Sequence, residues 1–367
     1  MRSILPTTVL RQPITEPSAW TLADLENDGS WDLTLTREEA GDLVKALEGA
    51  RSAGIDLERV TAENFPLPNC VGVISRIQRA LRDGRGFALL HGFPVEGHAR
   101  EDIALMYWGF CAHLGLGVTQ NSDGGLIHYV TEGRLRPNQG TRGVGNPGKV
   151  SLHVDLADCT TLLCVRQAAD SPHSQLASST AIHNAFLARA PEHLERLYRG
   201  FAWDRQNEHG ETEAPTTGYR VPVFSQRGGV VSCRYNRNWI TKAAMRGDGF
   251  TAEESELLDL LDEIAQEHAF SFPFQPGDVQ FVNNYTVLHG RAPHKPAESE
   301  DDVRVLMRIW FDMDDIRPFA DEPIIRYGII SHGKLGWTAR DLVAGLDDRI
   351  HARRAEDQAP LRLDRAS

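Results

Sequence analysis

The sequence has few of the features that would assign it to several common classes of protein. Its five cysteines are odd in number and form no C-x-x-C pair, which argues against a disulfide framework and favours a reducing compartment. No stretch approaches the ~20 consecutive apolar residues of a membrane-spanning helix. Pro6 and polar residues interrupt the N-terminus where a signal peptide has an apolar core. We therefore expect a cytoplasmic protein without a membrane partner.

Positive charge is also scarce. The formal net charge is −12, and the acidic excess is distributed along the chain. Because phosphate recognition requires clustered Lys and Arg, nucleic acid is a poor candidate partner. The 367 residues suffice for one large core or two smaller ones, and no internal boundary is strong enough to divide them.

Helical and strand-like segments follow one another without regular βαβ alternation. Capping boxes at Thr36–Glu39 and Thr251–Glu254 predict helices that run to about Ala53 and His268. Further helices are predicted over 71–83, 99–113, 179–199 and 338–354. Short apolar runs predict strands over 86–93, 150–156, 160–166, 279–284 and 303–311. Strands at both ends with helices inserted between them favour a sandwich or barrel with helical additions.

Residues 121–149 are rich in Gly, Asn and Pro, which predicts one long loop. Loops of this length inside compact domains are usually functional, so we expect a lid that closes over a site. We expect a single domain over 1–345 with a helical N-terminal extension. Residues 346–367 should form a helix end and a flexible tail.

His153 and Asp155 are two positions apart in a strand-like run, and the two-residue period of a strand turns both side chains to one face. One imidazole and one carboxylate supply two ligands of a facial metal triad. His289, followed by Gly290, is the best candidate for a third ligand, whereas His294 lies in a polar loop and ranks below it. On ligand type alone, Zn²⁺ in a hydrolase and a metal-stabilised binding module remain open.

The segment 303–311 alternates between two unlike faces. Its wholly apolar face consists of Val303, Val305, Met307, Ile309 and Phe311. The other face carries Arg304, Leu306, Arg308 and Trp310. Arginines between large apolar residues indicate charges that point into an enclosed space, where each needs an anionic partner. The planar guanidinium suits a carboxylate, so this strand predicts two carboxylate sites in one cavity.

Taken together, these motifs resemble the TauD/TfdA branch of the clavaminate-synthase-like 2-oxoglutarate dioxygenases. The resemblance extends from about residue 84 to 312. It is carried by H-V-D at 153–155, ASSTAIHN at 177–184, QPGDVQFVNNYTVLHGR at 275–291 and RVLMR at 304–308. It implies a mainly β fold with α-helices, namely a double-stranded β-helix (jelly roll) with helical insertions.

The resemblance also implies roles for individual residues. His153, Asp155 and His289 would bind Fe(II), and O₂ would react there. Arg304 would bind the C5 carboxylate of the co-substrate 2-oxoglutarate. A hydroxyl residue shares that carboxylate in the family, and the candidates are Ser174, the best match, and Thr180.

Arg308 matches an arginine that binds an anionic substrate group in several members, which predicts a small, anionic, carboxylate-bearing substrate, amino-acid-like or a biosynthetic intermediate. Because Asp155 is retained, hydroxylation of an aliphatic C–H bond with release of succinate and CO₂ is the expected reaction. Desaturation or cyclisation at the same site remains an alternative.

Overall fold

The computed structural model describes residues 8–132, 147–320 and 333–344. The helices in these ranges are α1 (Leu22–Asn27), α2 (Arg37–Ser52), α3 (Val71–Arg82), α4 (Arg100–Cys111), α5 (Ser179–Arg189), α6 (Leu194–Arg199), α7 (Arg237–Met245), α8 (Ala252–Glu267) and α9 (Ala339–Val343). None of them is long and apolar enough to cross a membrane.

The helix starts follow from local capping. Thr36 and Thr251 each accept a hydrogen bond from the backbone N–H three residues later, and the Glu at that position bonds back. Each box satisfies two backbone donors that the helix itself cannot pair. Both predicted capping boxes are therefore confirmed, and α2 and α8 end within a residue of the predicted positions.

The strands form two main sheets and a separate hairpin. They are β1 (Asp32–Thr34), β2 (Phe87–His91), β3 (Leu116–Val118), β4 (Ile127–Thr131), β5 (Val150–His153), β6 (Cys159–Arg166), β7 (Ser174–Ser178), β8 (Phe224–Arg227), β9 (Val230–Cys233), β10 (Phe270–Phe272), β11 (Val279–Asn283), β12 (Val287–Arg291) and β13 (Val305–Asp312).

The larger sheet has the order β1-β2-β11-β6-β13-β3, with β4 also paired to β13. The smaller sheet has the order β10-β7-β12-β5, and β8 pairs with β9. From β10 to β13, consecutive strands alternate between the smaller and the larger sheet, as β5, β6 and β7 also do. This crossing pattern is a double-stranded β-helix, and the predicted fold class with helical insertions is confirmed.

Strand β13 separates two parts of the core. Met307, Ile309 and Phe311 pack with α2, α3 and α4 outside the larger sheet. Leu306 faces inward among apolar residues of both sheets. Arg304 and Arg308 share this inward side and are 4% and 9% exposed. The predicted enclosure of the two arginines is therefore confirmed.

Two local predictions need correction. The segment 121–149 is not one continuous loop, because Ile127–Thr131 is strand β4, paired with Val305–Ile309. The β-branched and aromatic run I-H-Y-V-T inside this Gly-rich segment has high strand propensity, which the surrounding punctuation concealed. Strand β5 also ends at His153, so Asp155 lies in the connection to β6.

Some predicted segments lie partly or wholly outside the described residues. Residues 133–146 of the proposed lid are among them. The predicted helix over 338–354 is represented by Ala339–Val343, and the predicted tail over 346–367 lies outside the described ranges.

Candidate metal centre and co-substrate site

His153 and His289 meet across two neighbouring strands of the smaller sheet. His153 is the last residue of β5, His289 lies on β12, and the two are direct antiparallel partners. Their ring centroids are 4.5 Å apart. A Cβ on Gly290 would lie 2.7 Å from the carbonyl oxygen of Val150, so a glycine is needed for the strands to approach this closely.

Asp155 completes the cluster. Its Oδ1 is 3.9 Å from His153 Nε2, and its Oδ2 is 3.5 Å from His289 Nε2. His153 Nδ1 is bonded to the Ser151 carbonyl at 2.8 Å, which leaves Nε2 facing the carboxylate. Among the described residues, these three form the one group of metal-ligating side chains whose donor atoms lie within 4.8 Å of one another.

The electrostatics of the cluster suit a cation. Burial alone would raise the pKa of Asp155, but Arg308 and the two histidines hold it well below its usual range. Burial, and then the neighbouring His289, lower the pKa of His153 to about 4. At neutral pH the site therefore offers an ionised carboxylate and a neutral imidazole, which are the protonation states that bind metal.

The Asp155 carboxylate is held by several donors. Thr160 Oγ1 and Trp310 Nε1 donate to Oδ2 over 2.9 and 3.0 Å. Arg308 Nη1 is 3.3 Å from both oxygens. The Asp155 N–H donates to Asn284 Oδ1 at 3.1 Å. Hydrogen bonds thus fix both the side chain and the main chain of Asp155, so the orientation of the carboxylate does not depend on a metal.

The main chain around Asp155 is also fixed from the opposite side. Arg234, fully buried, donates to the carbonyl oxygens of Asp155 and Leu156 over 2.7 and 3.0 Å. Its guanidinium lies 4.2 Å from the ring centroid of Tyr285. The N–H of Val154 donates a hydrogen bond to the carbonyl oxygen of Tyr235, the residue that follows Arg234. Arg234 and Tyr235 therefore both bond to the main chain of the segment that carries Asp155.

Arg308 lies between the metal cluster and a buried polar group. Its Nε donates to Gln120 Oε1 at 2.7 Å, and its Nη2 is 3.3 Å from His128 Nδ1. The guanidinium lies 4.9 Å from the ring centroid of Trp310. Gln120 and His128 are buried. Arg308 therefore contacts both Asp155 of the cluster and His128 on β4.

Arg304 occupies a second, separate environment. Its Nε donates to Gln167 Oε1 at 2.8 Å, and no carboxylate of the described residues forms an ion pair with it. Burial, and then the positive charge of Arg291, lower the pKa of Arg304 to about 10. Ser174 lies opposite Arg291 on neighbouring strands. Arg304, buried beside a second arginine and without an ion pair to a described carboxylate, marks a place suited to an added anion.

Comparison with known proteins decides the family. Residues 52–310, well over half of the chain, match the family described as taurine catabolism dioxygenase TauD, TfdA family. The chain belongs to the TauD/TfdA family. It is therefore an oxidoreductase of the dioxygenase type, and the family prediction from the H-V-D, LHGR and RVLMR motifs is confirmed.

Two other proteins are similar to this chain along most of their length. FR-33289 synthase of Streptomyces rubellomurinus is 30% identical over 319 residues, which cover 85% of this chain and 94% of that protein. A taurine hydroxylase-like protein, SAT17 of Stachybotrys chartarum, is 24% identical over 318 residues, which cover 82% and 80%.

Solved structures of similar fold support the architecture. An asparagine oxygenase in complex with Fe(II), 2S,3S-3-hydroxyasparagine and succinate aligns with a TM-score of 0.59 at 16% identity, over 77% of this chain and 93% of that one. The non-haem iron oxygenase OrfP in complex with Fe, succinate and (3S)-hydroxy-L-Arg aligns with a TM-score of 0.57 at 18% identity, over 77% and 94%. At this identity the likeness establishes the fold alone.

Two other candidates of the TauD/TfdA pattern have different surroundings. Thr180 is buried at the start of α5, where its hydroxyl bonds to the Ser18 and Ser178 hydroxyls over 3.2 and 3.1 Å. His294 bonds through Nδ1 to the carbonyl oxygen of Lys295 and is not part of the metal-ligating cluster. Of the two hydroxyl candidates, Ser174 is therefore the one beside an arginine of the second environment.

Sequence reasoning missed several residues of this site. Thr160, Gln120 and His128 had no local signal, because their roles depend on which strands become neighbours. The bonds of Arg234 to the main chain at Asp155 were not predicted either. Trp310 was assigned correctly to the inward face of β13, although its bond to Asp155 could not be foreseen from spacing.

Proposed function

We propose that this protein is a non-haem Fe(II)- and 2-oxoglutarate-dependent dioxygenase that hydroxylates an aliphatic C–H bond of a small carboxylate-bearing substrate. The observation that carries the proposal is the convergence of His153, Asp155 and His289 beside a buried arginine strand. Membership of the TauD/TfdA family supports the reaction class.

Two imidazoles and one ionised carboxylate fit Fe(II), because such a triad leaves coordination positions for a co-substrate and O₂. His153, Asp155 and His289 would hold the ion. Bound iron supplies the coupled oxidation in which 2-oxoglutarate, O₂ and a C–H bond become succinate, CO₂ and an alcohol. The protein's own part is to hold the ligands in place, as Thr160 and Trp310 do for Asp155.

Arg304 would bind the C5 carboxylate of 2-oxoglutarate. Its burial and the absence of an acidic partner among the described residues support this role, since a buried guanidinium is stabilised by a carboxylate. Ser174, opposite Arg291 in the same environment, is the hydroxyl that we assign to share that carboxylate. Thr180 is less suited, because its hydroxyl is bonded to Ser18 and Ser178.

The substrate would contact Arg308, whose guanidinium lies 3.3 Å from the metal ligand Asp155 and therefore beside the reaction centre. The similar structures of asparagine oxygenase and OrfP contain hydroxylated amino acids, which supports an amino-acid-like substrate with an anionic group. The five cysteines are all buried thiols in the structure. This agrees with the proposed location in the cytoplasm.

The test is substrate-stimulated succinate formation. Purified protein would be incubated under air with 2-oxoglutarate, with and without Fe(II), across a panel of amino acids and small organic acids. We expect succinate only with iron, and faster release with one chemical class of acid. The Asp155→Ala variant is the matched control. Metal-dependent hydrolysis with Zn²⁺ and no succinate would instead identify a hydrolase.

A further inference from the structure

Trp310 and Thr160 approach Asp155 as a pair. They are direct partners on the neighbouring antiparallel strands β13 and β6. Both donate to the same oxygen, Oδ2 of Asp155, over 3.0 Å from the indole Nε1 and 2.9 Å from the hydroxyl. Trp310 is 1% exposed and Thr160 fully buried, so water does not compete for these bonds.

The direction of each bond is determined by chemistry. An indole nitrogen can only donate. The Thr160 hydroxyl accepts from Asn284 Nδ2 at 3.0 Å, which leaves its proton for Asp155. Asn284 in turn accepts from the Asp155 backbone N–H. Trp310 and Thr160 are therefore two neutral donors to Oδ2. Asn284, which orients the Thr160 hydroxyl, also bonds to the main chain of Asp155.

The two carboxylate oxygens of Asp155 are thereby made unequal. Arg308 Nη1 is 3.3 Å from both and does not distinguish them. Each oxygen also faces a histidine, since Oδ1 is 3.9 Å from His153 Nε2 and Oδ2 is 3.5 Å from His289 Nε2. The hydrogen bonds from Trp310 and Thr160, rather than distance, set Oδ2 apart.

We propose that Trp310 and Thr160 are positioning residues that keep Asp155 a ligand through one oxygen, Oδ1, an inference that rests on the proposed function. Their two bonds occupy the lone pairs of Oδ2. A carboxylate that bound through both oxygens would take one of the positions that 2-oxoglutarate and O₂ need. The pair thus preserves the open coordination positions of the site.

The test uses Co(II), which substitutes for Fe(II) without oxidising in air, and measures both affinity and the visible absorption spectrum, which reports coordination number. Trp310→Phe removes the N–H, and Thr160→Val removes the hydroxyl at nearly constant volume. We expect each to weaken Co(II) binding about 10- to 100-fold, the usual effect of losing a hydrogen-bond partner of a metal ligand. Each should also change the intensity of the Co(II) bands.

Two control variants separate positioning from packing. Thr160→Ser keeps the hydroxyl and should bind Co(II) like the wild type. Trp203→Phe truncates a fully buried tryptophan of the same apolar cluster, whose Nε1 has no hydrogen-bond partner within the described ranges. It should leave affinity and spectrum unchanged, with folding followed by circular dichroism.

The outcomes distinguish this inference from the proposed function. If Trp310→Phe weakens Co(II) binding no more than Trp203→Phe, or Thr160→Val no more than Thr160→Ser, the positioning role is wrong. An unchanged spectrum in Trp310→Phe and Thr160→Val would also overturn it. If the wild-type protein binds no Co(II) and forms no succinate, the proposed function itself fails. If Trp310→Phe does not fold, the comparison of Thr160→Val with Thr160→Ser tests the positioning role by itself.

Discussion

His153 and His289 are cross-strand partners in the smaller sheet, with ring centroids 4.5 Å apart. Strand pairing therefore holds the two imidazoles close together. Backbone bonds between β5 and β12 and the glycine beside His289 maintain this proximity. A site built in this way should persist when a ligand is removed.

Replacing His153, Asp155 or His289 with Ala should abolish Fe(II) binding and leave the fold intact. The expected readouts are the loss of Fe(II) binding in an anaerobic titration and a circular dichroism spectrum like that of the wild type. His294→Ala is the control, because its imidazole is bonded to a backbone carbonyl outside the cluster. Full iron affinity in His289→Ala together with its loss in His294→Ala would show that the third ligand is misassigned.

Arg304, which directly precedes β13, and Arg308 within it should separate co-substrate binding from substrate binding. Arg304→Ala would leave the C5 carboxylate of 2-oxoglutarate unpaired in a buried site, at a cost of about 2–5 kcal/mol. That corresponds to roughly 30-fold or more in the Kd of 2-oxoglutarate. Anaerobic titration of the Fe(II)–2-oxoglutarate absorbance measures it.

Arg308→Ala should behave differently in the same titration. It should spare the binding of 2-oxoglutarate and the slow succinate release without substrate, and it should weaken substrate binding or stop product formation. Loss of 2-oxoglutarate binding in Arg308→Ala but not in Arg304→Ala would reverse the two roles. The case for an anionic substrate would then lose its main support.

Arg234→Met should destabilise the protein. The change removes two bonds from a buried guanidinium to the carbonyls of Asp155 and Leu156, which we expect to cost about 2–4 kcal/mol in the free energy of unfolding. Arg237→Met is the matched control, since it loses only partly exposed ion pairs with Asp259 and Asp262, worth about 1 kcal/mol or less. Equal urea midpoints for the two variants would contradict the supporting role.

His91 should make stability depend on pH. Burial alone would lower its pKa, but hydrogen bonds to Asp278 at 2.6 Å and Asp32 at 2.7 Å outweigh burial and raise it above the ordinary 6.5. Because the pKa of His91 is higher in the folded than in the unfolded protein, protonation of His91 stabilises the fold. This stabilisation is fully present below about pH 6.5, and it is lost as the pH rises through the pKa of the folded state.

The corresponding variant is His91→Gln. Because the His91 side chain is 36% exposed, we expect an effect below about 1 kcal/mol. Urea unfolding should be measured at about pH 5.5 and at about pH 9. The free energy of unfolding of His91→Gln should fall further below that of the wild type at the lower pH. A deficit that is larger at high pH would exclude the charged histidine as its source.

Local signals predicted much of this fold. Thr36 and Thr251 cap helices, because the hydroxyl and a Glu three residues later satisfy backbone donors. This signal lies within four consecutive residues. The alternation of residue types over 303–311 correctly predicted that both arginines are enclosed, although burial itself does not alternate, because both faces of β13 are covered.

The parts that could not be predicted depend on which segments become neighbours. Strand β4 pairs with β13, which lies far from it in the sequence, and no feature of residues 127–131 predicts that pairing. The donors to Asp155 illustrate the same point, because Thr160 and Trp310 are brought together only by the pairing of β6 with β13. Motif resemblance supplied the metal ligands, but not the residues that aim them.

The long interval between the two histidine ligands has a consequence for biosynthesis. More than a third of the chain separates residues 153 and 289, and they meet only once β12 has paired with β5. A ribosome-bound chain that has not yet released β12 therefore lacks an iron site, whatever the supply of metal. If these residues hold iron as proposed, the metal would be bound only after β12 has been synthesised and has paired with β5.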